Sequence, residues 1–451
     1  SDRFKYFASS VYNNFRKAFY QLGGDKLPIT TGDAFLDFLK IHGISEEYNE
    51  EEFKDRIWRL LSELRYYSGP EAIDIQQSPA LKVEKGFISR LANLGHSGKL
   101  KVGFAHVTDS KTSSWTYSHE LGRMHLEQVL KDSVETVSRF NLPESNDAAP
   151  ILQSMVDEGC RIIFTTSPTL INPTLKVAMD NPECNLLNCS CFHSFKHVNT
   201  YFGRIHEPRF LSGIVAGAMS NAGKLGYIAP YPTTDIISGL NAFTLGARMV
   251  NPRCEVYVRW TVTGKERLDA DEVTAELVSK GVDIISHHNT LVNRMFSKEY
   301  GVYTLKKTDD GDYAPDKYLA VPVWNWGIFY EKYVRSIQAG GTRLGADSSG
   351  RVRNYWWGLD SGLLDFFYAK RHVPPETRKL VEFIKTSIIS QTYKVFSGPI
   401  YDINGNLVVD SGDELQREQI LSMDWLVEGI IGEIPDMDQY TPSNLSTGKI
   451  V

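Results

Sequence analysis

The stretch SSWTYSHELGR, residues 113–123, brings Trp115, Thr116 and Tyr117 directly behind the apolar run KVGFAHV and at the head of a helical pattern continued by MHLEQVLK. A large ring therefore sits where strand hands over to helix, and in open α/β sheets ligands are held at the carboxyl ends of strands. The connecting HVTDSKTSS contains no glycine. It cannot be the G-x-G-x-x-G cradle of a dinucleotide phosphate.

Other expected strand ends carry the same kinds of group: Thr165, Thr166 and Ser167; Tyr201 and Phe202; Pro230 and Tyr231; Asn289 and Thr290; Trp324, Asn325 and Trp326. Aromatic faces with hydroxyl and amide edges suit a flat, neutral ligand sandwiched in a cleft. Phe202 or Trp326 taken alone is read more simply as core, whereas Trp115 just past a strand is expected to face the cleft. His287 and His288 end a strand, so at most one of them can face a cleft.

Reaction chemistry is less legible. There is no G-x-S-x-G elbow, no H-E-x-x-H and no phosphate loop with its lysine. A cleft hydrolase would have to draw on Asp235, Asp360 or His288 as acid or base. No pair among them is distinguished by spacing. Cys189, Cys191 and His193 alternate along a strand and share one face, as metal ligands would. Their surroundings, CNLLNCSCF, read instead as a buried strand in which cysteine is a small apolar filler. No metal and no cofactor is expected.

Length and charge set the frame. The 451 residues are enough for two or three domains, and five cysteines are too few for a disulfide framework. The net charge of −6 gives no reason to expect nucleic acid or an anionic membrane as partner. No apolar run is long enough to span a bilayer. The chain begins at Ser1, so a signal peptide or lipid-anchor cysteine could have been removed.

The elements that must position these side chains follow from periodicity. Residues 1–98, with FKYFASSVYNNFRKAFYQL and EEEFKDRIWRLLSELRYYSG, carry apolar residues at helical spacing and read as a separate all-α segment. From Lys99 the chain alternates. Candidate strands such as KLKVGFAHV, RIIFTTS, KLGYIAPYP and VDIISHH are separated by helical stretches such as EPRFLSGIVAGAMSN. This pattern means parallel sheets flanked by helices. The aromatic strands near the end, YLAVPVWNWG and NYWWGLDSGLLDFF, favour two lobes joined by several crossovers over a closed barrel.

Several blocks together are distinctive: SSWTYSHELGR, VNTYFGRIHEPRFLSGIVAGAMS, KLGYIAPYPTTDIISGLNAFTLGARMVNP, YLAVPVWNWGIFYEKYV, NYWWGLDSG and MDWLVEGIIG. In order and spacing, from about 99 to 435, they resemble the basic membrane protein family of ABC importer substrate-binding proteins, also called purine nucleoside receptor-like. The resemblance implies the type I periplasmic binding protein fold, with two Rossmann-like lobes. Lobe 1 is expected from 99–210 and 320–365, and lobe 2 from 211–319 and 366–451. It implies a purine base or nucleoside stacked on Trp115, with the loop after GYIAP closing from the other lobe. The ligand-binding residues so expected are Trp115, Thr116, Tyr117, Thr166, Ser167, Phe202, Arg204, Pro230, Tyr231, His288, Asn289, Trp324 and Asn325.

Two departures bear on the ligand. Where the family commonly carries an aspartate after the strand matching VDIISHH, this chain has Asn289 and Thr290; where it carries another after the strand matching VYTLKK, this chain reads KKTDDGDYAP with an apparent deletion; and Trp324 stands near a family lysine. Losing these grips on ribose makes a free base such as adenine as good a fit as a nucleoside. The implied partners are a small-molecule ligand and the membrane subunits of an ABC transporter. The implied location is extracytoplasmic, as a lipoprotein or periplasmic protein. A cytoplasmic ligand sensor with residues 1–98 as output module is the alternative.

Overall fold

A computed structural model describes residues 73–76, 98–190, 197–263, 266–288, 301–339 and 352–435. The helices expected before residue 73, Cys191 and His193, Asn289 and Thr290, and the expected helix LVNRMFSKEY lie outside the described residues.

In chain order the main strands are β1 (Ile73–Gln76), β2 (Leu100–Ala105), β3 (Val134–Arg139), β4 (Ile162–Thr165), β5 (Asn185–Cys189), β6 (Val198–Gly203), β7 (Lys224–Ala229), β8 (Glu255–Trp260), β9 (Ile284–His287), β10 (Val302–Lys307), β11 (Tyr313–Trp324), β12 (Val352–Trp357), β13 (Leu364–Tyr368) and, after a short hairpin, β14 (Ile430–Ile431). The helices are α1 (Ser114–Val129), α2 (Ala149–Asp157), α3 (Ile171–Asp180), α4 (His206–Met219), α5 (Thr234–Val250), α6 (Ala270–Ser279), α7 (Trp326–Gln338) and α8 (Pro375–Ile389).

The first sheet has the order β1-β12-β6-β5-β4-β2-β3 and is parallel throughout. Strands β4, β5 and β6 are buried along their whole length, as parallel strands covered on both faces must be. The second sheet runs β13-β11-β10-β9-β7-β8-β14. Strands β9, β7, β8 and β14 are parallel, and β10, β11 and β13 join antiparallel. The β10–β11 pair has a local cause: residues 308–312 form a tight turn, with Gly311 at positive φ and Thr308 N–H bonded to the Asp312 carbonyl. Such a turn admits only an antiparallel return. The architecture is therefore α/β, two lobes flanked by helices, the first built on a wholly parallel sheet and the second on a sheet whose parallel part carries three antiparallel strands.

Helix α4 explains the small residues of EPRFLSGIVAGAMSN. It is buried from His206 to Gly217, and a Cβ at Gly213 would collide with the Phe243 carbonyl of α5. Gly246 answers it from α5, where a Cβ would collide with the Phe210 carbonyl. The two backbones approach as closely as peptides can, and only glycine permits it.

The chain passes between sheets at residues 204–205, at Trp324 to Asn325 and through 358–363. Strand β11 stays in the second sheet through Trp324, and α7 then packs on α1 of the first. Strand β1 falls within the segment expected to be all helical and pairs in parallel with β12.

Candidate functional site

Ser113 caps α1, its hydroxyl accepting from Thr116 N–H, which fixes the turn that presents Trp115 beside the end of β2. The indole Nε1–H donates to the Thr166 carbonyl just past β4, at 2.7 Å. The ring is partly buried, so it is anchored to the first lobe while remaining in contact with solvent.

Three rings stand nearly perpendicular to that indole. Trp324 and Trp326 lie stacked on each other, 4.7 Å apart at 7°, and His119 stacks on Trp326 at 4.3 Å and 19°. Trp115 meets all three edge to face, at 5.6, 5.5 and 4.8 Å. Phe202 closes the group, 5.5 Å from Trp324 and 6.1 Å from Trp115. Trp326 is 1 % exposed and belongs to the core; Trp324 and Trp115 are partly exposed at its margin.

The other first-lobe candidates are held by internal bonds. Thr116 is buried with its hydroxyl 2.6 Å from that of Thr108. Thr166 Oγ1 lies 2.9 Å from His106 Nδ1, and Ser167 Oγ caps the short helix at residues 168–170. Tyr117 is partly exposed on α1. Behind them His106 Nε2 meets Glu120 at 3.0 Å, with Ser138 and Arg123 also donating to that carboxylate. Burial alone would raise the Glu120 pKa, but the hydrogen bonds from His106, Ser138 and Arg123 outweigh it and hold it at about 2.

The second lobe offers the loop after β7. Pro230 is buried, its carbonyl accepting from Val262 N–H, while Tyr231 is partly exposed beside the core. Asp235 opens α5, and burial pushes its carboxyl above the ordinary range despite bonds from Thr233 and nearby backbone. His288 Nδ1 is 2.8 Å from Tyr227 Oη, and its carbonyl accepts from Arg209 Nη2 at 2.8 Å. Burial and then Arg209 hold His288 neutral, its pKa well below the usual value.

Two expected ligand residues are placed in the hinge. The Arg204 guanidinium, 6 % exposed, pairs with Glu207 and Asp360 and donates to the Trp356 carbonyl. Asn325 is bonded through both its backbone and side-chain N–H to the carbonyls of Leu363 and Gly362. A separate cavity of about 130 Å³ lies against Arg204, Trp356, Lys394, Phe396 and Arg417, and Arg204 is the one cleft candidate that lines it.

Sequence reasoning missed four side chains near these strand and helix ends. Asn188 Oδ1, Ser190 Oγ, Arg209 Nε and Thr234 Oγ1 are buried without a hydrogen-bond partner in the protein. Buried polar atoms of this kind are ordinarily satisfied by water or ligand. Their spacing carries no motif, so only the fold reveals them. Among the described residues no group of three His, Cys, Asp or Glu side chains could hold a metal, and Cys189 is fully buried.

Comparison with known proteins agrees with this geometry. Residues 99–395 match the Bmp family, described as ABC transporter substrate-binding protein PnrA-like. A purine-binding protein of Brucella abortus (strain 2308) is 31 % identical over 75 % of this chain and 94 % of its own. A Haloferax volcanii protein with the provisional name of an ABC transporter glucose-binding protein is 24 % identical over 74 % of this chain and 81 % of its own. Among solved structures, an ABC transporter solute-binding protein from Conexibacter woesei DSM 14684 superposes with a TM-score of 0.50 at 13 % identity, covering 65 % of this chain and 98 % of that one.

Proposed function

Because the chain belongs to the PnrA-like family of ABC transporter substrate-binding proteins, we propose that it captures a purine base or nucleoside between its lobes and delivers it, unchanged, to the membrane subunits of an importer. The observation that carries this reading is Trp115, an indole pinned to the Thr166 carbonyl at the strand-to-helix junction with its ring at the cleft margin. A purine stacked there gains apolar burial and ring geometry together. The name of the Brucella relative supports the same ligand class. Members of the family bind substrate rather than transform it, and closure of two lobes about a hinge requires neither metal nor cofactor. We place the protein outside the cytoplasm, as a lipoprotein or periplasmic receptor. No helix among the described residues is long and apolar enough to cross a membrane.

The regulatory alternative draws support from one contact. Strand β1, from the segment preceding the lobes, pairs with β12, whose last residues lead into the hinge. A sensor could pass closure outward along that edge.

Calorimetry against adenine, guanine, adenosine, guanosine, inosine and glucose, with product analysis after long incubation, tests the proposal. Micromolar or tighter binding of one purine without turnover is expected. Silence across the purines, or conversion of any of them, would overturn it.

A further inference from the structure

One turn along α1 from Trp115, His119 is fully buried among aromatic side chains. Its ring lies flat on Trp326 and perpendicular to Trp115, with centroids 4.8 Å apart at 75°. Nδ1 is 2.6 Å from Tyr330 Oη, while Nε2 has no hydrogen-bond partner in the protein. Burial, reinforced by His106, keeps the ring neutral. A neutral imidazole carries one N–H and one bare nitrogen. Tyr330 can donate to Nδ1 because its own oxygen can accept from Tyr201, 3.4 Å away. In that arrangement, with Tyr201 turned toward Tyr330 rather than toward the Thr165 carbonyl 3.5 Å away, the proton lies on Nε2.

An N–H with no oxygen or nitrogen to meet, beside a perpendicular indole, finds its acceptor in the π face. We infer that His119 carries its proton on Nε2, directs it at the perpendicular Trp115 ring and so acts as a positioning residue for the ligand platform, setting the plane on which the ligand stacks. The bond to Thr166 pins one edge of the indole. Swinging about that edge remains open, and the perpendicular contact from His119 opposes it. Tyr330 acts one step further back, by selecting the tautomer. The inference rests on the stacking role proposed for Trp115.

Nitrogen-15 NMR of the ligand-free full chain reads the tautomer directly. Protonation at Nε2, with an NOE from that proton to Trp115 ring protons, is expected; protonation at Nδ1 would overturn the inference whether or not any purine binds. The affinity test uses adenine as probe, or the purine that binds best. His119→Phe keeps a flat ring on Trp326 but removes the N–H, and should weaken binding about two- to fivefold. His119→Gln, whose amide N–H falls near the same place, should recover most of the loss. Unchanged affinity in His119→Phe, or equal losses in both variants, contradicts a positioning role. If His119→Phe fails to fold, the tautomer and the NOE still decide.

Discussion

Gly203 and Trp324 touch where the first and second crossovers meet: a Cβ at position 203 would collide with the Trp324 ring and lie 3.2 Å from Leu364 Cδ1. Trp324 also packs on Phe202 and Trp115, so the crossovers and the aromatic group around Trp115 share one ring. Gly203→Ala should therefore act on both. A cost of about 1–3 kcal/mol in denaturant unfolding is expected from overpacking, accompanied by weaker ligand binding measured by calorimetry. A substitution neutral in both would show that the ring moves freely.

The α4–α5 pair gives a harsher case. At Gly213 the obstacle is the Phe243 backbone carbonyl, which cannot rotate aside. Gly213→Ala should cost about 3 kcal/mol or more, because two buried helices must separate. Thermal unfolding of the ligand-free protein measures this, and a melting temperature like that of wild type would refute the packing described.

Arg204 holds two carboxylates in a nearly dry hinge. Arg204→Leu leaves the buried Glu207 and the partly buried Asp360 without their cation, at a cost of about 3–5 kcal/mol. Adding Glu207→Gln and Asp360→Asn should recover much of it. Burial already pushes Glu207 upward, so the single variant should lose less at acid pH, where that carboxyl is protonated. Urea unfolding at neutral and acid pH distinguishes this from a plain cavity, whose cost would not depend on pH.

Glu120 predicts an acid limb. Its folded pKa of about 2 lies below the ordinary glutamate value of 4.5, so the unfolded chain binds the proton first. The stability it contributes is complete above about pH 4.5 and is lost as pH falls toward 2. The loss amounts to about 3 kcal/mol. Glu120→Gln should flatten that part of the stability profile, and an unchanged profile would show that the His106, Ser138 and Arg123 bonds do not hold in solution.

Much of this fold was legible because parallel strands buried on both faces and amphipathic helices leave opposite periodicities. KLKVGFAHV, RIIFTTS and KLGYIAPYP became β2, β4 and β7, and the handover at Trp115 was where the ring stands. VNTYFG is harder: Tyr201 and Phe202 mark it as a strand end, and the structure extends it to the full strand β6. Contacts far apart in sequence were not legible. Arg204 meets Asp360 and Gly203 meets Trp324 only because the chain returns twice through the hinge. His119 lay four residues from Trp115, on the same helical face, and that spacing could have flagged it. Its partner Tyr330 could not be guessed.

The central claim is that Trp115 is the surface on which a purine is held, and calorimetry of Trp115→Ala and Trp115→Phe beside wild type tests it most directly. Lost burial and lost ring geometry should cost Trp115→Ala roughly 2–4 kcal/mol of binding, or about 30- to 1000-fold in affinity, and Trp115→Phe much less. The Thr166 bond and the surrounding rings mean that Trp115→Ala should also melt somewhat earlier without ligand. A destabilised Trp115→Ala protein that still binds its purine with wild-type affinity would contradict the account.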